Sequence, residues 1–156
     1  MQAQEWNSLI AGLTRPHLLQ TAQWAQAKRP FGWTAYQRTW EDASGHTVAA
    51  AQLLQREIRL PLINRRLCMF YMPKGPTLAD WSDADLRQRV IGDIRDFAAS
   101  HGAFTVKIDP DLPLGYGVPG EEGARDNPDG LALREDLLAA GWRYSNEQVQ
   151  MPSSQL

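Results

Sequence analysis

The sequence predicts an α/β (α+β) fold with a mixed central sheet flanked by helices. Three observations support this prediction. The chain has 156 residues, of which 43% are hydrophobic and 22% charged, values typical of one globular domain. Hydrophobic residues recur at helical spacing in some segments and alternate as in strands in others. The two kinds of segment are interspersed along the chain, as in mixed α/β folds.

The first part of the chain is predicted to contain two short helices followed by a long hairpin. Apolar residues at helical spacing predict a helix over 5–13, and Thr21 is a suitable N-cap for a second helix over 21–29. Aromatic and β-branched residues predict strands over 31–40 and 46–60. Since a short turn joins these strands, we expect them to pair antiparallel.

The middle of the chain is predicted to contain a strand, a loop, the longest helix and another strand. The apolar run 67–71 predicts a buried strand, and the Pro-Lys-Gly-Pro sequence at 73–76 must be a loop. A capping-box pattern that begins at Ser82 predicts a helix over about 83–101. Alternating apolar and polar residues predict a half-exposed strand over 104–109.

The last part of the chain begins with a long segment rich in glycine and proline. Residues 110–130 contain five glycines and four prolines, and a loop of this length is usually functional or disordered. A helix over 130–140 and a final strand over 142–150 are predicted to follow. We therefore expect one domain over residues 1–150, with residues 151–156 as a tail or a truncation point.

Charge is distributed unevenly along the chain. The net charge of −2 by itself predicts no affinity for nucleic acid, but residues 1–66 contain eight Lys/Arg and four Asp/Glu, whereas residues 67–156 contain eight and fourteen. The basic part is suited to face an anionic ligand, and ordinary solvated charge is the alternative. The sequence has no run of about 18 apolar residues that would predict a transmembrane helix. A single cysteine and a start without secretory character predict a cytoplasmic protein.

Several classes of catalytic site have no support in the sequence. His17, His46 and His101 are not at metal-ligand spacing, and Cys68 lies in an apolar run, so no metal site is expected. The sequence contains no Gly-x-Ser-x-Gly elbow and no P-loop motif. It therefore gives no support for an acyl-enzyme intermediate or for P-loop phosphate transfer.

The order of the predicted elements resembles the fold of the acetyl-CoA-dependent N-acetyltransferase (GNAT) superfamily. Enzymes of that superfamily hold the CoA pyrophosphate on an Arg/Gln-x-x-Gly-x-Gly/Ala loop that leads into a helix, through backbone N–H groups and the helix dipole. The corresponding segment here is 71–77, in which Pro73 and Pro76 have no N–H to donate. The GNAT-like resemblance thus implies an N-acyltransferase fold without bound CoA or another cofactor.

Four stretches together resemble the first domain of the FemABX peptidyltransferases. They are HLLQTAQW at 17–24, which leads to Lys28 and on to FGW at 31–33; YMPKGP at 71–76; VKIDPD at 106–111; and GWR to EQVQ within 141–150. This family transfers amino acids from aminoacyl-tRNA to the stem peptide of peptidoglycan precursors. The resemblance implies that function and aminoacyl-tRNA as the acyl donor.

The resemblance also implies roles for individual residues. The lysine that follows the Gln-x-x-x-Trp stretch contacts the anionic nucleotide-sugar end of the precursor in this family, and here it is Lys28. Lys74 and Gly75, with Tyr71 in the same motif, are the other predicted substrate-binding residues. Asp109 is the candidate catalytic residue, as a hydrogen-bond acceptor for substrate or amine. For Lys28 the alternative is an ordinary solvated lysine, and for Lys74 and Gly75 it is a structural turn. For Asp109 the alternative is a cap for the turn at Pro110.

The expected partners also follow from the resemblance. They are a UDP-MurNAc-peptide or a lipid-linked peptidoglycan precursor, and aminoacyl-tRNA. Complete family members have two such domains, and the resemblance covers only the first, so we expect a missing second domain or a homo-oligomer. Whether this chain catalyses transfer alone is left open. Two alternatives stay open as well: a non-catalytic module that binds a nucleotide sugar or a partner, and a divergent acetyl-CoA N-acetyltransferase.

Overall fold

The computed structural model describes residues 1–60 and 65–145. The chain divides into two compact units, residues 1–112 and 113–156, and each is described here by itself. The prediction of one domain over residues 1–150 remains a prediction.

Among its described residues, the first unit contains three α-helices, two short 3-10 helices and five strands. The α-helices are α1 (Ala3–Ala11), α2 (Ala22–Lys28) and α3 (Ala84–Ser100), and the 3-10 helices are Leu18–Gln20 and Arg29–Phe31. The strands are β1 (Trp33–Glu41), β2 (Thr47–Leu60), β3 (Arg65–Pro73), β4 (Thr77–Leu78) and β5 (Ala103–Asp109). The helices and strands predicted for this part of the chain are therefore confirmed, with boundaries shifted by a few residues.

The five strands form one mixed sheet. The order is β1-β2-β3-β5, and β4 pairs with β2. β1, β2 and β3 are antiparallel neighbours, whereas β3 and β5 are parallel and are joined through α3. Their register ends with Pro73 opposite Asp109, so the carboxyl ends of β3 and β5 lie side by side.

Helices cover both faces of this sheet. On one face, Trp6, Ile10 and Leu13 pack with Ala50 of β2 in a buried cluster. On the other face, Tyr36 of β1 contacts α3, with 5.5 Å between its ring and that of Phe97. Because successive side chains of a strand point to opposite faces, this fixes which strand residues face α1 and which face α3.

The start of α3 differs from the prediction in its capping residue. Asp83 is the N-cap, and its carboxylate accepts a hydrogen bond of 2.9 Å from the Leu86 N–H. Ser82, the predicted cap, donates its hydroxyl to the Asp80 carboxylate at 2.8 Å. The prediction was wrong by one residue because the Ser82 hydroxyl is bound to Asp80, and the next residue, Asp83, accepts from the helix N–H instead.

The second unit contains a short hairpin and a helix among its described residues. β6 (Gly115–Tyr116) pairs antiparallel with β7 (Arg125–Asp126), and α4 (Pro128–Ala139) follows. The segment predicted as one long loop thus contains two short strands. Of the predicted final strand, residues 142–145 have no strand structure, and residues 146–150 lie outside the described residues. Among the described residues, no helix has the length and apolar character needed to span a membrane.

The two candidate caps of α3 give the first testable prediction. Asp83→Ala should lower the free energy of unfolding by about 1 kcal/mol, because the Leu86 N–H loses its acceptor. Ser82→Ala is the matched control and should change it by less than about 0.5 kcal/mol, since Ser82 is exposed. Urea unfolding of the two variants measures both values. Equal losses would contradict the assignment of the cap.

Candidate functional site

Lys74 follows directly on β3 and is held between two carboxylates. Its ammonium nitrogen lies 3.8 Å from Asp109 Oδ2 and 3.7 Å from Asp111 Oδ1, and its side chain is only 11% exposed. Its backbone has a φ of +54°, in the left-handed region that non-glycine residues seldom adopt. The predicted residues Lys74 and Asp109 are therefore in contact, at the carboxyl ends of the two parallel strands.

Tyr71 lies two residues before the end of β3, near Asp109. Its hydroxyl is buried and has no hydrogen-bond partner among the described residues. Burial, with a smaller contribution from the Asp109 charge, raises the pKa of Tyr71 to about 12. Buried polar groups are normally paired. This phenol is thus a neutral donor next to a charged pair, as a group that binds substrate would be.

Arg15, His17 and Asp111 complete the cluster, and none of them is among the predicted site residues. Arg15 Nε donates to the Asp111 carbonyl at 2.6 Å, and the guanidinium lies 3.8 Å from its carboxylate. His17 is also near these charges: burial lowers its pKa, Asp111 and Asp109 act against that change, and Lys74 adds to it. The sequence contains a signal for Asp111, because Asp109 and Asp111 are separated by one proline at the end of the predicted strand.

The His17 ring has one of its nitrogens fixed by the backbone. Nδ1 accepts a hydrogen bond of 3.1 Å from the Leu19 N–H. A neutral imidazole that accepts at Nδ1 carries its proton at Nε2. His17 therefore offers the cluster a donor and not a second base.

Gly75 lies next to a buried side chain where there is no room for a Cβ atom. A Cβ atom built on Gly75 would lie 2.7–2.9 Å from the side-chain amide of Gln20. That amide is fixed, since its nitrogen donates to the Pro73 carbonyl at 2.6 Å and its oxygen accepts from the Gln52 N–H at 2.7 Å. Gly75 thus allows the loop after β3 to lie directly on a buried side chain.

Lys28, the other predicted substrate-binding lysine, is not in contact with this cluster. It ends α2, and its ammonium lies 4.5 Å from the centre of the Trp24 ring. Such a cation–π contact orients a lysine while leaving its charge available. The structure thus brings together Tyr71, Lys74, Gly75 and Asp109 of the predicted site residues, and leaves Lys28 at a separate position.

The amino end of α3 lines a surface depression of about 280 Å³. Four aspartates line it, together with Arg89; they are Asp42, Asp80, Asp83 and Asp85. Hydrogen bonds from Ser82 lower the pKa of Asp80, so this carboxylate is charged at neutral pH. No group of three or more His, Cys, Asp or Glu among the described residues could hold a metal ion.

A family model called the FemAB family matches residues 1–156 of the chain. The chain belongs to the FemAB family. The resemblance to the FemABX enzymes is therefore confirmed. Whether Lys28, Tyr71, Lys74, Gly75 and Asp109 bind or act on substrate remains a prediction.

Curated and solved relatives agree with this assignment. The chain is 29% identical over 115 residues to the lipid II:glycine glycyltransferase of Staphylococcus haemolyticus, a match that covers 74% of this chain and 26% of that enzyme. The crystal structure of FemX matches with a TM-score of 0.66 and 25% identity over 90% of this chain and 30% of that one. The chain thus spans about a quarter of the length of the curated relatives it matches.

The fold prediction is confirmed by a more distant likeness. A Trypanosoma brucei acetyltransferase matches with a TM-score of 0.52 and 16% identity, over 97% of this chain and 94% of that one. At this identity the match concerns the fold alone. The chain has the GNAT-like fold that its element order predicted.

Two glycines give a prediction about the loop after β3. Gly75→Ala should destabilise the protein by about 1–3 kcal/mol, because its Cβ would overlap the Gln20 amide. Gly92→Ala is the control: Gly92 is within α3, and apart from its own helix backbone nothing lies within 4 Å of the Cβ that alanine would add. The Gly92→Ala substitution should raise the free energy of unfolding by about 0.5–1 kcal/mol. Thermal unfolding distinguishes them, and a neutral Gly75→Ala would contradict the close contact.

The Tyr71 hydroxyl gives a prediction about alkaline pH. Its folded-state pKa of about 12 lies above the ordinary tyrosine value of about 10. The folded state is therefore favoured by the neutral Tyr71 phenol. This contribution to the free energy of unfolding is complete below about pH 10 and is lost as the pH rises towards 12. Wild type should lose stability relative to Tyr71→Phe in this interval. Urea unfolding at a series of pH values measures the difference, and parallel curves would contradict the burial of the phenol.

Proposed function

We propose that this chain is the first acyltransferase-like domain of an aminoacyltransferase. In this proposal the enzyme adds an amino acid from aminoacyl-tRNA to the stem peptide of a peptidoglycan precursor. Membership of the FemAB family and the similarity to lipid II:glycine glycyltransferases support the reaction class. The observation that carries the proposal is the group formed by Tyr71, Lys74 and Asp109 at the carboxyl ends of the parallel strands.

The proposed reaction needs a proton acceptor and an oxyanion donor in one place. The amine of the acceptor attacks the ester carbonyl of aminoacyl-tRNA. A C–N bond forms, the C–O bond to the ribose breaks, and the ribose oxygen leaves with a proton. The amine must be neutral when it attacks, it gives up one proton as the amide forms, and the leaving ribose oxygen takes up one proton. Negative charge develops on the carbonyl oxygen in between. No enzyme-bound acyl intermediate is required.

The residues of the cluster match these two needs. Asp109 can accept a proton or hydrogen bond from the amine, and its side chain is 42% exposed and therefore accessible. Tyr71 and Lys74 can donate to the developing oxyanion. Their positions are fixed by burial before substrate binds, so little reorganisation is required during the reaction.

The acceptor in this proposal is a UDP-MurNAc-peptide or its lipid-linked form, bound on the cytoplasmic side of the membrane. Lys28 contacts its diphosphate, since a lysine at the end of a short helix presents a point charge. Its separate position on α2 is compatible with an extended substrate that reaches the cluster with its peptide. A second domain or a second copy of the chain completes the site, so transfer by this chain alone is not expected.

CoA is not the acyl donor in this proposal. Pro73, the last residue of β3, and Pro76, in the loop after it, have no backbone N–H to donate. The amino end of α3, where a GNAT enzyme would bind pyrophosphate, carries Asp80, Asp83 and Asp85. Carboxylates at this position repel an anion that the helix dipole would otherwise attract.

Ligand binding tests the proposal directly. In calorimetry, UDP-MurNAc-pentapeptide should bind, and Lys28→Ala should weaken binding by about 1.5–3 kcal/mol, the range for a hydrogen bond to a charged group. Arg95→Gln is a matched control, because Arg95 is an exposed cation paired with Asp96. Millimolar CoA should not raise the melting temperature. Stabilisation by CoA without precursor binding would favour the acetyltransferase alternative and contradict the proposal.

A further inference from the structure

The chain has an exposed corner where cations and aromatic rings alternate. We call it the basic aromatic corner; it consists of Lys28, Arg29, Phe31, Trp33 and Arg56. The 3-10 helix Arg29–Phe31 follows directly on α2 and leads through Gly32 to the start of β1. Trp33 is opposite Arg56 in the sheet, and the Arg56 guanidinium lies 5.6 Å from the centre of its ring. The end of α2, the turn and the start of β1 are thus consecutive in the chain, and Arg56 of β2 lies beside Trp33.

Among the described residues, no carboxylate forms an ion pair with Lys28, Arg29 or Arg56. The sequence has no Asp or Glu over residues 6–40, nor over residues 43–56. Glu57 is adjacent to Arg56 along β2, but consecutive strand side chains point to opposite faces. The corner therefore presents three positive charges towards solvent.

Phe31 lies exposed among these charges. Its side chain is 68% exposed, and Arg29 and Pro30 beside it are exposed as well. Trp24 and Trp33 are in a different situation, because Lys28 and Arg56 lie over their rings. The corner thus combines one free apolar ring with a surrounding layer of cations, the composition that favours binding at a bilayer interface.

We propose that the basic aromatic corner docks on an anionic phospholipid bilayer, with Phe31 inserted at the level of the headgroups. The occupant is argued from charge complementarity: cytoplasmic bilayer surfaces are negative, and each nearby Lys or Arg adds to the attraction. The inference rests on the proposed function in one respect. A domain held on a bilayer would meet its precursor in the lipid-linked form and not as the free nucleotide.

An RNA surface is the less suitable partner. Single-stranded nucleic acid is bound by several aromatic faces on which bases stack. Here the Lys28 ammonium lies 4.5 Å from the Trp24 ring centre and the Arg56 guanidinium lies over Trp33. Phe31 is therefore the aromatic residue of the corner with no cation described over its ring. A lone exposed phenylalanine with no polar atom suits lipid headgroups and acyl chains better than base edges.

Vesicle sedimentation with the full chain and no precursor tests this inference. The probes are phosphatidylcholine vesicles with and without phosphatidylglycerol, at low ionic strength. The chain should bind only the anionic vesicles, and salt should weaken binding. Arg29→Gln/Arg56→Gln should lower the partition coefficient about 25-fold, at about five-fold for each cation. Phe31→Ser should lower it roughly ten-fold.

Matched controls remove the same residue types elsewhere. Arg95 and Phe104 are also exposed, so Arg95→Gln and Phe104→Ser should leave vesicle binding within about two-fold of wild type. Equal binding by the corner variants, absence of binding to anionic vesicles, or binding of single-stranded RNA that the same variants abolish would each overturn the inference. Because no precursor is present, failure here is distinguishable from failure of the proposed function.

Discussion

The buried side chain of Gln20 is the interaction on which the first unit depends. Its amide nitrogen donates to the Pro73 carbonyl, its amide oxygen accepts from the Gln52 N–H, and its own carbonyl accepts from the Trp6 indole at 2.7 Å. One residue therefore connects α1, the middle of β2 and the end of β3. Since Gln20 is completely buried, removing one partner would leave polar groups unpaired where water cannot reach them.

The position of the candidate site is a consequence of this connection. Gln20 fixes the last carbonyl of β3 and contacts Gly75, so the residue between them has little freedom. Lys74 adopts a positive φ there, and its side chain turns towards Asp109 and Asp111. The position of Lys74 is thus set by its backbone conformation, and the position of Asp109 is set by the register between β3 and β5.

The sequence predicts much of the fold because its strong signals are local. Hydrophobic spacing and the Thr21 cap are sufficient to locate α1 and α2, aromatic and β-branched residues locate β1 and β2, and alternation locates β5. Local patterns fail where neighbours compete, as at Ser82 and Asp83. They also fail where burial depends on distant contacts: Phe104 alternates like a core residue but is 54% exposed.

The same distinction applies to the site. Lys74, Gly75, Tyr71 and Asp109 stand out in motifs, but nothing in their spacing indicates that Lys74 contacts a carboxylate on another strand. That contact depends on the parallel pairing of β3 with β5. His17 was not predicted as a site residue for a similar reason. Its importance comes from its proximity to Asp111, which follows 94 positions later in the chain.

The distribution of charge along the β3–α3–β5 unit connects the fold to the proposed chemistry. In a GNAT-like fold the amino end of the helix after this strand attracts phosphate by its dipole. Here that end is acidic, and the buried cation lies before it, at the strand ends. The region where β3 and β5 run in parallel keeps donors and an acceptor suited to acyl transfer. An acidic helix end is unfavourable for a phosphate group at that position, which agrees with the proposal that the acyl donor is not CoA.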